Sequence, residues 1–489
     1  MTTLEGWADA SGWAAEEFGA ARLGDARRTK RLVRLAAGAA VRPDGRITAV
    51  FPHSADQQGA YDLLANQHVT AEAVAASATR AAVRRAAGHP FAFVPLDGSS
   101  VRLTDRRARK GTGPVGKHST RARGLQLLTA LVVTPDGVPQ GICDQRFWTR
   151  PAPVPKPRGF GRWRAAEQRR WRARRKAARR RRAPAIKESS RWGEALGAVD
   201  TAFDTYGDGV QPWPQLDRGG DVDRLLRAAV EGDRLLTVRA GQLERGLADG
   251  RTVRATAATA PVLGTHWLEV SAQPGRPARL ARLAVRACPA VLRAEGQAGA
   301  AALWLVVAEE VSAVAAGQTP LRWVLWTTYP ADALDAAALV LDGYACRWRV
   351  EDYFRALKRG GCDLERTQLH HPDRVRTWAV VLGSVAMRIA RLKHLARTEP
   401  DRPADGELTR DELDALILLQ RPPGWRVGET PPLGQAVRWL GMMGGHSGRP
   451  SAPPAGATVL GRGLERVVFA AEVLRAQREQ VAHALAPKK

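Results

Sequence analysis

Apolar residues in the first part of the chain recur at helical spacing, in short blocks separated by turn residues. The block Ala26–Leu35 joins a basic first turn to an apolar face, and Ser54 and Gln57 have the spacing of a helix-capping box ahead of the next block. Residues 1–72 are therefore predicted to form short helices. Clustered arginines on such helices are typical of a DNA-reading module, and a small structural helical domain fits the same residues equally well.

The period changes after a further helix, predicted at about residues 70–88. Phe91–Leu96 is a short apolar run that ends at Asp97. The next two runs flank the Pro-Asp-Gly turn at 135–137, which indicates a β-hairpin. Three successive strands, the first bearing an acid, predict the start of a mixed α/β domain.

Residues 73–395 are predicted to form this α/β domain with two insertions. The first, near 151–185, combines spaced prolines with a run of arginines; a solvated loop or an exposed helix fits it, and either is compatible with contacts to phosphates. The second, near 234–328, contains several β-like runs and predicts an inserted β-sheet. The remainder, 396–489, predicts a helical C-terminal domain that ends in an amphipathic helix at about 458–484.

Charge is the most informative property of the composition. The chain has 75 Lys+Arg and 49 Asp+Glu, a formal net charge of +26. Such an excess indicates a polyanionic partner, because each neutralised phosphate releases counterions, although heavy use of Arg and Ala also fits compositional drift in a GC-rich genome. No apolar run is long enough for a membrane span, and the start of the sequence lacks the features of a signal peptide. Four scattered cysteines suit a reducing compartment, so we expect a cytoplasmic protein.

The strongest candidate chemistry lies on a long helix predicted over about 333–359 and ended by Gly360-Gly361. At 100° per residue, one stripe about 60° wide carries four polar side chains, while apolar residues gather on the opposite face. The stripe consists of Tyr344, Arg347, Glu351 and Lys358. A solvated helix face with i,i+4 ion pairs is the alternative interpretation.

The motif Y-x-x-R-x-x-x-E-x-x-x-x-x-x-K, from Tyr344 to Lys358, resembles the signature of the IS-four family of bacterial insertion-sequence transposases. Further segments resemble the same family in order, and together the resemblance covers roughly residues 12–395. These segments are Leu23–Val33, Gly59–Tyr61, Lys187–Trp192, Leu216–Asp221 and Pro320–Trp323.

The resemblance implies a multidomain α/β protein with a ribonuclease-H-like catalytic core and an inserted β-sheet, a helical N-terminal DNA-binding domain and a helical C-terminal dimerisation domain. The implied catalytic acids and metal ligands are Asp97, Asp217 and Glu351. They would hold two Mg²⁺ ions, for which Mn²⁺ can substitute. A few carboxylates suffice for Mg²⁺, because water and substrate phosphate complete its coordination.

Implied contacts with DNA fall at both ends of this region. Arg28 and Arg31 would bind the transposon end, whereas Tyr344, Arg347 and Lys358 would contact the strand near the cut. Trp323 would stack on a flipped base during a hairpin intermediate; a buried strand tryptophan is its alternative.

The function implied is cut-and-paste DNA transposition: binding of terminal inverted repeats, metal-dependent cleavage through a hairpin, and strand transfer by a homodimer in a paired-end complex with target DNA. Two other functions stay open, a transposase-derived DNA-binding protein without catalysis and a ribonuclease-H-like DNA nuclease. The second acid is also open. Pro212 and Pro214 are unfavourable in a central strand before Asp217, so Asp200, Asp204 and Asp208 are rivals.

Overall fold

The computed structural model describes residues 10–105, 110–116, 122–151, 157–180, 188–270, 278–294, 299–314, 318–449, 452 and 454–485. The strands are β1 (Phe91–Leu103), β2 (Gly113–Pro114), β3 (Arg123–Val133), β4 (Pro139–Trp148), β5 (Gln211–Leu216), β6 (Thr237–Arg239), β7 (Val262–Val270), β8 (Arg279–Leu292), β9 (Ala301–Glu310) and β10 (Arg322–Thr327). The helices are α1 (Ala10–Phe18), α2 (Ala26–Val41), α3 (Ile47–Val50), α4 (Ser54–Ala65), α5 (Ala71–Arg84), α6 (Ala165–Arg180), α7 (Glu188–Tyr206), α8 (Asp223–Glu231), α9 (Val253–Thr259), α10 (Leu334–Ala345), α11 (Trp348–Arg359), α12 (Pro372–Thr398), α13 (Arg410–Gln420), α14 (Leu433–Met443) and α15 (Ala457–Leu485).

The strands form one mixed sheet in the order β2-β3-β1-β5-β6-β10-β9-β8-β7, with β4 also paired to β3. Strand β3 is antiparallel to both β1 and β4, as the predicted hairpin requires, whereas β5 and β6 run parallel to β1. Both faces of β1 are buried. Successive side chains point to opposite faces, so Phe93 enters one apolar core, and Val94 and Leu96 enter the other. The chain is thus a mixed α/β protein with helices packed on a large sheet.

The two prolines before Asp217 do occupy a central strand. The N–H of Gln211 donates to Pro90 O at 3.1 Å, so the N–H groups of odd-numbered residues in β5 point towards β1. Pro212 and Pro214 therefore face the β6 side, where β6 pairs only with Gln215 and Leu216. Neither proline deprives the sheet of a ladder hydrogen bond, which explains why a central strand tolerates them.

The predicted inserted sheet needs one correction, because its strands do not form a separate layer. Strand β10 pairs antiparallel with β6, and β9, β8 and β7 continue the same sheet outwards. Backbone hydrogen bonding across β6 and β10 therefore joins the insertion to the strands that carry the first two acids. The last strand of this extension, β7, is an edge strand whose Trp267 is 54% exposed.

The N-terminal helices share an apolar core with the α/β region. One core continues from Trp13 through the face of the sheet that contains Phe93 to Ala457. The indole N–H of Trp378 on α12 donates to Gly45 O at 2.9 Å, and Arg42 pairs with Glu472 of α15 at 2.6 Å. The predicted capping box is wrong: α4 begins at Ser54 itself, and its N-cap is His53, which makes no side-chain capping bond.

The C-terminal helices α13, α14 and α15 surround a third apolar core. In the predicted amphipathic helix, Val467 and Val468 are buried within this region, whereas Val473 and Phe469 are 55% and 57% exposed. The inner side of the helix thus packs within its own chain. Within the described ranges, no helix has the length and apolar content needed to cross a membrane.

Candidate active site

Two of the predicted acids lie side by side at one edge of the sheet. Strands β1 and β5 pair in parallel with Leu96 opposite Leu216, so the next residue of each chain segment, Asp97 and Asp217, lies at the same edge. Asp217 Oδ1 accepts a hydrogen bond from Gly219 N at 2.7 Å and caps a short 3-10 turn. A Cβ at position 219 would lie 2.9 Å from that oxygen, so glycine there preserves the orientation of the carboxylate.

The rival aspartates lie elsewhere. Asp200 and Asp204 are on helix α7, and Asp200 pairs with Arg234. Asp208 is in the turn that precedes β5, with a left-handed backbone at φ 49°. Because α7 ends before the strand that Asp217 follows, and six strand residues span about 20 Å, these three sit towards the opposite end of β5. Of the four aspartates considered from sequence, Asp217 is the one beside Asp97.

The helix predicted over 333–359 is broken into α10 and α11. Cys346 caps the first helix and Arg347 the second, both with right-handed helical backbone. The break places Tyr344 on α10 and Glu351 and Lys358 on α11, but the Arg347 guanidinium still lies 5.9 Å from the Tyr344 ring. The ending at Gly360 is as predicted.

Arg347 lies between two of the three acids, Asp97 and Glu351. Its guanidinium donates to Asp97 Oδ2 at 2.6 Å and approaches Glu351 Oε1 to 3.5 Å, while Asp217 also acts on it electrostatically. Burial raises the pKa of Asp97; the Arg347 charge opposes this rise, and the charges of Asp217 and Glu351 add to it. The three acids therefore influence one another although Asp97 lies within β1, Asp217 follows β5 and Glu351 is on α11.

A second contact ties α11 to the same strand. Lys358 Nζ donates to Ser99 Oγ at 2.5 Å, two residues beyond Asp97 on β1. Burial lowers the pKa of Lys358. The lysine thus stands beside the acids, and Ser99 is a contact that the sequence motif did not indicate.

Tyr344 and Trp323 are buried against each other, at 2% and 3% exposure. Their ring centroids are 4.9 Å apart in an edge-to-face arrangement, and Trp348 lies 5.8 Å from Trp323. The Arg347 guanidinium is 5.9 Å from the Tyr344 ring, which connects this aromatic group to the acids. The burial of Trp323 agrees with its alternative interpretation, and its stacking role stays a prediction.

An arginine-rich cavity of about 450 Å³ adjoins the aromatic group. Trp323 and Trp348 contribute to its wall, together with four guanidinium groups that sequence reasoning had not singled out. These belong to Arg218, Arg239, Arg279 and Arg322. Arg218 and Arg322 had a signal in the sequence, because they lie in the segments Leu216–Asp221 and Pro320–Trp323 that resemble the family. The lining of the cavity combines cationic and aromatic side chains, which suits a flat, anionic group.

The donor set fits hard divalent cations, since three carboxylates supply oxygen ligands and no sulfur or imidazole competes. Among the described residues, no three acid, histidine or cysteine side chains already converge as ligands on one point. Instead the Arg347 guanidinium lies between Asp97 and Glu351. Two donor groups nearby, Tyr344 Oη and Arg347 Nε, are buried without a hydrogen-bond partner in the described chain, which suits an incoming phosphate oxygen.

Two family models match the sequence. The model described as transposase DNA-binding matches residues 10–69, and the model described as transposase DDE domain matches residues 158–387. The chain carries the two domains of a DDE transposase. Asp217 and Glu351 lie within the DDE-domain match, whereas Asp97 and the hairpin β3-β4 precede it.

The residues matched by the transposase DNA-binding model include both arginines predicted to bind the transposon end. They differ in their surroundings: Arg28 donates to Leu23 O at 2.8 Å and is half-buried, whereas Arg31 is exposed. On the same helix α2, the side chain of Arg27 is 92% exposed and Lys30 is also exposed. Arg28 thus ties the start of α2 to the segment before it. The outward basic residues of α2 include Arg27 and Lys30, which sequence reasoning did not select.

Proposed function

We propose that this transposase cuts DNA at transposon ends and joins it to a target, using Asp97, Asp217 and Glu351 at the shared edge of β1 and β5. The observation that carries the proposal is that Arg347 contacts both Asp97 and Glu351 while Asp217 follows the strand paired with β1, in a chain with a net charge of +26. The strand order β4-β3-β1-β5-β6, three antiparallel strands followed by two parallel ones, supports a ribonuclease-H-like core.

Each side chain has a role that follows from its position. The three acids hold two divalent cations, Mg²⁺ or Mn²⁺, which when bound activate the attacking oxygen and stabilise the leaving oxygen. Lys358 and Arg347 position phosphates beside the cut, because both are cationic, partly buried and adjacent to Asp97. Tyr344 would hold the strand end, because its ring lies beside the Arg347 guanidinium.

The experiment that tests the function compares DNA products. Purified protein, Mg²⁺ or Mn²⁺ and a duplex carrying the inverted repeat that flanks its gene should yield cut ends and strands joined to a second DNA. Cut ends without joining would instead indicate a nuclease, and bound but intact DNA would indicate a DNA-binding protein without catalysis. A homodimer acting on paired ends in the cytoplasm, at the nucleoid, completes the proposal; cross-linking of two labelled ends by one complex would test it.

Trp323→Ala is expected to permit the first nick but to lower hairpin formation at least tenfold. Stacking of a base on an aromatic face contributes about 1–3 kcal/mol, and the arginine-rich cavity beside Trp323 is open to receive one. Denaturing gels of end-labelled DNA distinguish nick from hairpin. Trp323→Phe, which keeps an aromatic face, is the control and should retain most hairpin product. A folded Trp323→Ala protein that forms the hairpin as well as the unmodified protein would remove the stacking role, and if Trp323→Ala unfolds, loss of the hairpin product in a folded Trp323→Phe protein would do the same.

Arg31→Ala is expected to weaken binding to the transposon end about tenfold, and to weaken binding to random DNA less. The reason is that Arg31 is an exposed basic residue of the matched DNA-binding domain. Arg28→Ala should lower the thermal midpoint as well, since it removes the bond to Leu23 O. Fluorescence anisotropy on both duplexes measures this. Equal losses on the two DNAs would reassign Arg31 to general electrostatics.

A further inference from the structure

Helix α6 and the turn before it form a small unit with its own packing. Phe160, which is 6% exposed, contacts Trp171 at 4.8 Å and Trp163 at 5.4 Å between ring centroids. The side chain of Gln168 donates to Phe160 O and Trp163 O, both at 3.0 Å, which fastens the turn to the helix. The described helices and strands elsewhere make no extensive contact with α6. We call residues 157–177 the basic arm.

The basic arm carries a high density of unneutralised positive charge. It contains nine basic residues and one acid, Glu167, whose carboxylate accepts from Arg164 N at 2.9 Å. The nine are Arg158, Arg162, Arg164, Arg169, Arg170, Arg172, Arg174, Arg175 and Lys176. None of them forms an ion pair with a carboxylate of the described part of the chain. By contrast, Arg146 and Arg191, which flank the arm in sequence, both pair with Glu194.

The arm leaves the sheet at the edge that holds the acids. Asp97 pairs with Thr129, which pairs with Gln145 on β4. Strand β4 runs parallel to β1 and ends at Trp148, three residues beyond the level of Asp97. Strand β4 therefore ends at the same end of the sheet as β5, which Asp217 follows.

We propose that the basic arm binds the phosphates of double-stranded DNA that continues past the cleavage point, without reading its sequence. The proposal rests on the proposed function, since that places DNA at this edge. The arm's basic residues point in all directions around α6, at 100° steps, so the helix presents positive charge without one reading face. Its 16 residues extend about 24 Å, and duplex DNA carries one charge per about 1.7 Å of axis, so several phosphates fall within reach.

The test is the salt dependence of binding by the triple variant Arg169→Gln, Arg170→Gln, Arg174→Gln. These three are exposed and lie outside the aromatic contacts, unlike Arg172 and Arg175, which cover Phe160 and Trp171. Two labelled duplexes are used: one ends at the cut, and one continues about 15 base pairs beyond it. On the longer duplex the slope of log K against log salt should fall by about 2–3, at about 0.9 per phosphate contact, whatever the added sequence. On the shorter duplex it should be unchanged.

The matched control removes the same charge from the C-terminal region: Arg426→Gln, Arg438→Gln, Arg462→Gln, all exposed residues. Its slope should equal that of the unmodified protein on both duplexes. An equal loss of slope by the arm variant on both duplexes would overturn the placement of the arm on DNA beyond the cut. An unchanged slope, or a loss of slope seen only with RNA of the same length, would overturn DNA as the ligand. Cleavage by the unmodified protein is measured separately. A chain that does not cut but loses slope in the arm variant refutes the proposed catalysis and retains the arm as a DNA contact.

Discussion

Glu351→Gln is expected to lower DNA cleavage by a factor of 1,000 or more while leaving affinity for the transposon end within about threefold. The substitution removes one negative charge and an oxygen ligand but preserves shape, and loss of a preorganised electrostatic group at a reacting centre has effects of about this size. Glu351 is 41% exposed in its side chain and only 3.5 Å from Arg347, so the change leaves no buried orphan group. Cleavage of end-labelled DNA and anisotropy measure the two quantities.

Asp352→Asn is the matched control, because it makes the same chemical change at the next position of α11. Asp352 pairs with Lys393 at 2.7 Å and with Arg355 at 3.0 Å, on a side of the helix away from the acids. Asp352→Asn should lower the free energy of unfolding and keep the cleavage rate within a few fold of that of the unmodified protein. If Glu351→Gln cut DNA at a rate near that of the unmodified protein, the assignment of the third acid would be wrong.

Arg347→Ala is expected to lower the metal-free stability of the protein, by about 2 kcal/mol, and to make that stability respond more strongly to Mn²⁺. Removing one partner of a fully buried ion pair costs about 3–5 kcal/mol, and the 13% and 19% exposure of Arg347 and Asp97 reduces this figure. Without the guanidinium, three carboxylates repel one another until a divalent cation replaces the lost charge. Because the cation binds only the folded state, the thermal midpoint of the variant then rises with metal concentration.

The pH dependence has a definite sign. The pKa of Asp97 is already raised by burial, and removing Arg347 takes away the charge that opposes this rise. In the variant, Asp97 then binds a proton more tightly in the folded state than in the unfolded state. The stability lost through Arg347→Ala should therefore shrink as the pH falls and Asp97 becomes protonated, and grow as the pH rises. Thermal midpoints with and without Mn²⁺, at several pH values, measure both effects.

Arg355→Ala is the control for Arg347→Ala, since Arg355 lies on the same helix and pairs with Asp352 at the surface, 52% exposed. Its midpoint should change little and should gain no added response to Mn²⁺. An Arg347→Ala protein with the same metal response as Arg355→Ala would show that the guanidinium does not occupy the charge position of the cations.

The acids at the strand ends were predictable because strand patterns and chain order are local properties. Asp97 closes an apolar run, and the strand-to-helix turn after Leu216 distinguishes Asp217 from its three rivals. The objection raised by Pro212 and Pro214 could not be resolved from sequence, because it depends on how far β6 extends along β5. Strand length in a neighbour is a tertiary property.

The surroundings of the motif tyrosine were not predictable in the same way. Helical periodicity assumes an unbroken helix, and neither Cys346 nor Arg347 is a helix breaker, so nothing in the sequence marked the break between α10 and α11. That break turns Tyr344 towards Trp323. The position of Arg347 between two acids also escaped the sequence, since one of those acids is 250 residues away.

The apolar core that the N-terminal helices share with α12 and α15 limits how such a protein can acquire new DNA ends. Trp378 bonds to Gly45 and Arg42 to Glu472, so a foreign recognition segment would meet a surface shaped for the original one. Exchange of whole modules between related elements is therefore penalised. If α2 contacts the transposon end as proposed, we expect end specificity to diverge by single replacements on its outward side, at residues such as Arg27 and Lys30, whose side chains take no part in that core.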